Sequence, residues 1–139
     1  MITKLLKNIF VPFFAKIQAL EYSLGLIADY VVETGTDGIW TYEKWQSGKA
    51  VCWGNSAQTV DVNTAWGHLY LGWLADISLP SGLFTNIATV VGTADAGSGM
   101  WVDMRIVTNP TTVGGYAYIN VSKTALEVNV RMIVIGTWK

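Results

Sequence analysis

The chain has 139 residues, of which 51% are hydrophobic, 12% aromatic and only 14% charged, with a formal net charge of −1. A typical soluble domain carries about 25% charged residues, so this surface is short of charge, and the seven Trp and six Tyr exclude intrinsic disorder. The near-neutral balance excludes a general nucleic-acid binder, the single Cys52 excludes an intrachain disulfide framework, and the single His68 excludes most His-based metal sites.

Residues 1–33 read as a helical arm. Lys4, Lys7 and Lys16 are its charges up to residue 20, with no acid; Glu21, Asp29, Glu33 and Asp37 follow over residues 21–38, with no base. Its longest uncharged stretches cover only residues 8–15 and 22–28, well short of the about 18 residues a membrane span needs, so no membrane insertion is expected. Leu6, Phe10, Phe13, Ile17, Leu20, Leu24, Ile27 and Val31 recur at alternating spacings of four and three. That is the seam of a coiled coil. Pro12 suits the first turn of a helix, and Gly25 costs about 1 kcal/mol relative to Ala within one. The seam can pack on the arm's own domain or between identical chains; eight large apolar positions point to identical neighbours, and a homotrimer is the expectation.

Thr34-Gly35-Thr36-Asp37-Gly38 has the composition of a turn and reads as the joint. Residues 38–139 then read as a β-sandwich domain. Ile39–Trp45 and Lys49–Trp53 flank Gln46-Ser47-Gly48, a hairpin signal. His68–Leu74, Ala88–Thr93, Trp101–Val107 and Tyr116–Val121 are further strands. In the last strand Leu126, Val128, Val130, Met132 and Val134 alternate with Glu127, Asn129, Arg131, Ile133 and Ile135. The second set turns apolar at its end, which predicts burial on both faces there. The expected fold is mainly β: an antiparallel β-sandwich of about seven strands preceded by a helical arm.

Catalytic motifs are missing from this pattern. No phosphate-cradling glycine loop and no Gly-x-Ser-x-Gly elbow occurs. His68 reads as structural, Cys52 as a small buried hydrophobe, and Asp103 as a partner for Arg105. Neither enzyme activity, nor a cofactor, nor a metal is expected. Aromatic rings are the remaining candidates. Most read as packing, but Tyr116 and Tyr118, beside what reads as a flexible Gly114-Gly115 loop, and Trp101 are candidate sugar-stacking residues.

Residues 38–54 read GIWTYEKWQSGKAVCWG, Pro80-Ser81-Gly82-Leu83-Phe84 follows, and the chain ends Ile135-Gly136-Thr137-Trp138-Lys139. Over about residues 29–139 this resembles a β module of tailed-phage and prophage tail, fibre and minor structural proteins of Gram-positive hosts. Val134 departs mildly from it, standing where the family has a small residue. The resemblance implies a virion location, often as a trimer, in a tail, fibre or minor structural protein; the short arm, where the family's module often caps a much longer chain, points to a head-fibre or decoration role. Residues 1–20 would then contact capsid or tail scaffold, and the β domain would face a host-cell glycan. A stand-alone carbohydrate-binding module is the alternative.

Overall fold

The computed structural model describes residues 12–13, 15–21, 23, 25, 29–97 and 99–139. The chain divides into two units, Met1–Tyr30 and Val31–Lys139. In the first, residues 12–13, 15–21 and 23 are helical. Phe13, Ile17 and Leu20 of the seam lie in this helical stretch, with Phe13 and Leu20 exposed. Leu6, Phe10, Leu24 and Ile27 fall outside the described residues. Gly25 sits in a turn at φ +69°, the left-handed conformation that ends helices. Val31 is the first residue of a strand and pairs with Trp45. The seam therefore does not run on one continuous helix to Val31.

The described residues of the second unit form nine strands: β1 (Val31–Asp37), β2 (Trp40–Trp45), β3 (Lys49–Val62), β4 (Thr64–Trp66), β5 (Leu69–Ser78), β6 (Asn86–Asp95), β7 (Met100–Thr108), β8 (Thr112–Ile119) and β9 (Lys123–Thr137). They form two sheets with orders β1-β2-β3-β9-β6 and β4-β5-β8-β7, and every pairing is antiparallel. This is the expected mainly-β sandwich, with two more strands than the pattern indicates.

The first extra strand is β1, which occupies the residues read as arm end and joint up to Asp37; of the joint, Gly38 alone sits in a turn, at φ +57°. Turn composition misleads there because the pairing is supplied from outside the segment. Thr34 and Thr36 lie opposite Glu43 and Thr41 of β2, and Thr suits a pleated edge. Lys44 Nζ binds Glu33 at 3.0 Å, and Tyr42 donates its hydroxyl to the same carboxylate. The Lys44 hydrogen bond, first among the causes, holds the Glu33 carboxyl below its usual range. The second extra strand is the short β4. Gly48, at φ +96°, closes the predicted hairpin between β2 and β3 with its N–H on the Trp45 carbonyl. β3 then runs on to Val62, well past the Trp53 expected from sequence.

The core lies between the sheets. Strict alternation on β9 buries Val128, Val130, Met132 and Val134. They meet Leu74, Val113, Ala117 and Ile119 of the second sheet within one hydrophobic cluster. Trp40, on β2, is 3% exposed and donates its indole N–H to the Ser78 carbonyl of β5 at 2.8 Å, tying one sheet to the other. Asn109 makes a second tie: its Oδ1 accepts from Ile87 N–H, and its Nδ2 donates to Asn86. Cys52 is buried between Tyr42 and Val134 in the register, and burial pushes its thiol up to about 12.

The end of β9 is not buried on both faces. Ile133 and Ile135 point outward and are exposed, because none of the described residues of the unit covers them on the outer side of the five-stranded sheet.

Candidate functional site

The outer face of the four-stranded sheet is paved with rings. Register explains why. Trp73 of β5 and Asp103 of β7 lie opposite Tyr116 of β8; Leu71 and Trp101 lie opposite Tyr118. Side chains two residues apart on a strand share a face, so these groups all point away from the core. Trp66, on β4, reaches the same surface. Trp66, Trp73 and Trp101 are 58%, 56% and 48% exposed.

The rings form two rows. In one, Tyr118 lies between Trp66, with ring centres 5.4 Å apart, and Trp101, stacked nearly parallel at 5.9 Å and 13°. In the other, Tyr116 lies between the edge of Trp73, at 6.1 Å, and the Arg105 guanidinium, 5.1 Å from the ring centre. Tyr116 and Tyr118 join the rows at 6.5 Å. The ion pair expected between Asp103 and Arg105 is not formed; the guanidinium stacks on Tyr116 instead. Packing among the rings removes water from the Tyr118 phenol and raises its pKa, with Asp103 and Tyr116 adding to the effect. Its hydroxyl therefore stays a neutral donor and acceptor through the physiological range.

Tyr116, Tyr118 and Trp101, the three sugar-stacking candidates, are thus brought together. The sequence-based reason for choosing them is corrected. Gly114 and Gly115 are not a loop: both are buried inside β8. A Cβ on Gly114 would lie 2.6 Å from Asp76 Oδ1, and one on Gly115 would collide with the Asp103 carbonyl oxygen. Close approach of the β7 backbone demands glycine at 115, while at 114 the crowding comes from the Asp76 and Val107 side chains. Sequence reasoning misses Trp66 and Trp73 as members of the site. Residues 69–74 are apolar at both parities apart from Gly72, so periodicity alone does not say which set faces out.

Such a face offers flat apolar ring surfaces, two phenol hydroxyls, one carboxylate and one guanidinium. That combination suits stacking against the apolar side of a sugar ring with hydrogen bonds at its rim. His68, in the turn between β4 and β5, is exposed. Among the described residues no three His, Cys, Asp or Glu side chains converge as metal ligands.

Several solved tail-fibre structures align with this chain. An N-truncated R1-type pyocin tail fibre aligns at a TM-score of 0.52 and 12% identity over 86% of this chain and 94% of its own. A P. aeruginosa R1 pyocin fibre fragment aligns at 0.51 and 13% identity over 84% of this chain. An N-truncated R2-type pyocin tail fibre aligns at 0.50 and 13% identity, again over 84%. The fold is similar to that of pyocin tail fibres. This chain spans only 30% and 41% of the second and third of those chains. The sequence matches no protein-family model and no curated protein.

Proposed function

We propose that the protein is a non-catalytic virion component of a tailed phage or phage-tail-like particle, a homotrimeric fibre, head-fibre or decoration protein. Its arm anchors and trimerises it, residues 1–20 contact the capsid or tail scaffold, and the β unit adheres to a host-cell glycan through the ring face. The observation that carries this reading is the pair of exposed ring rows, built on a fold similar to that of tail fibres. The resemblance of residues 38–54 and of the final strand to tailed-phage β modules supports the same assignment. No cofactor or metal enters this function.

Removing residues 1–30 leaves β1 intact and tests the division of labour. The shortened chain is expected to lose incorporation into particles while the β unit keeps binding host cells. Incorporation at the full-length level would refute the anchoring role. Undiminished cell binding by a folded variant with Tyr118→Ala and Trp101→Ala together would refute the adhesive role. A full-length chain that binds host cells but never enters particles would be a stand-alone carbohydrate-binding module.

A further inference from the structure

The outer face of the five-stranded sheet is also apolar, but of a different kind. Trp53 lies opposite Ile133, which lies opposite Val91; Val51 lies opposite Ile135. Trp53, Val91, Ile133, Ile135 and the adjacent Ile39 are all exposed, Val91 by 60%. A groove of about 490 Å³ runs between Ile39, Trp53, Val91 and Ile133, with Asn55 and Arg131 also in its lining. Antiparallel sandwiches ordinarily turn polar residues outward, so this band marks a contact. Trp53 is the one aromatic ring among these five exposed side chains, the other four being aliphatic, so the band lacks the paired rings that stack on a sugar and suits protein instead.

We propose that this face packs against the same face of further copies of the chain. The charges flanking the band fit self-association. On one side Lys49 and Glu43 occupy diagonal positions of the β2–β3 ladder; on the other, Arg131 and Asp95 occupy diagonal positions of the β9–β6 ladder. Each flank thus carries one cation and one carboxylate, and a face of mixed sign does not repel its copy. Size fits too. Five strands span about 24 Å, and the β3–β9 ladder about 45 Å, enough for the roughly 800 Å² per partner of a specific interface. Contacts that used the two opposite faces of a sandwich together would build an open stack rather than a closed ring. One face therefore turns to the symmetry axis, and the ring face stays free for ligand. This rests on the homotrimer reading above.

The test is cysteine cross-linking of the full chain, since Cys52 is buried and silent. Ile133→Cys, at a half-exposed position, is expected to give a covalent dimer on mild oxidation and to resist a maleimide beforehand. Trp73→Cys, on the ring face, is expected to stay single and to react at once. Val91→Glu is expected to raise the concentration at which the oligomer dissociates at least about tenfold, equivalent to about 1.4 kcal/mol. If light scattering of the wild-type chain reads three chain masses but the Ile133→Cys variant is neither cross-linked nor protected, the trimer stands and its contact lies elsewhere, overturning the proposal. An unchanged dissociation of Val91→Glu overturns it as well. A wild-type mass of one chain removes the trimer reading itself.

Discussion

Tyr118 is the hub of the ring face, and replacing it separates packing from recognition. In Tyr118→Ala three ring contacts disappear at once, to Trp66 at 5.4 Å, Trp101 at 5.9 Å and Tyr116 at 6.5 Å. Aromatic pairs contribute about 0.5–1.5 kcal/mol each beyond area burial. All three lie on a partly wet surface, so the lower half of that range applies, for a total of about 2 kcal/mol. For a unit of this size that lowers the melting temperature by roughly 8 °C. Trp101→Ala removes a single stacked pair and costs about 0.5–1 kcal/mol. Both substitutions are expected to weaken adhesion to host cells at least about tenfold, since each removes a stacking surface; that is about 1.4 kcal/mol of binding. Tyr118→Phe keeps the ring and is expected to retain stability and most adhesion. Calorimetric melting and binding of the labelled protein to host cells measure the two effects. If Tyr118→Phe is as unstable as Tyr118→Ala, ring packing is not what Tyr118 contributes. Should folded Tyr118→Ala adhere like wild type, the ring face is not the adhesive surface.

Three other outcomes follow from the fold. Trp40→Phe removes the indole N–H that the Ser78 carbonyl accepts and leaves part of the buried indole volume empty; it is expected to cost at least about 1–3 kcal/mol, read as a lower urea midpoint at unchanged slope. Gly115→Ala drives a methyl against the Asp103 carbonyl and Met104 Sδ; overpacking of this kind costs about 1–3 kcal/mol, whereas Gly38→Ala, whose Cβ meets nothing, acts only through its positive φ. Cys52 stays a thiol up to about pH 12 in the folded chain but ionises from about 9 when unfolded. Its contribution to stability is therefore full below pH 9 and declines as pH rises from there; native Cys52 is expected to resist iodoacetamide at pH 8 and to react on addition of denaturant.

What can be read in advance follows the contrast between neighbouring residues. On β9, polar Glu127, Asn129 and Arg131 alternate with apolar Leu126, Val128 and Val130, and the facing read from that pattern matches the burial. Where contrast fades, the reading fades with it. Ile133 and Ile135 look like core by composition, yet they are exposed, because hydrophobicity alone does not report which face of a sheet a side chain occupies. Gly114-Gly115 reads equally as a flexible loop or as a place where backbones crowd, and only the neighbouring Asp76 and Asp103 decide between them. Residues 34–38 have turn composition, but β2 provides hydrogen bonds that no local pattern reveals. The site follows the same rule. Residue type singles out Tyr116, Tyr118 and Trp101, but their assembly with Trp66, Trp73 and Arg105 depends on the register between two strand pairs, β4–β5 and β7–β8, that are distant in sequence.

The position of β9 has a consequence for how the protein is made. It is the last of the nine strands to leave the ribosome, yet it lies between β3 and β6, with Lys49 paired to Thr137 and Asn86 to the same residue. Until translation passes Thr137, β3 and β6 are open edges that can recruit strands from other nascent chains. Such non-local pairing makes folding slow, and the waiting period is when aggregation competes. The same arrangement acts as a check on length: a chain cut short before β9 lacks the middle of one sheet, along with Ile133 and Ile135 on its outer side.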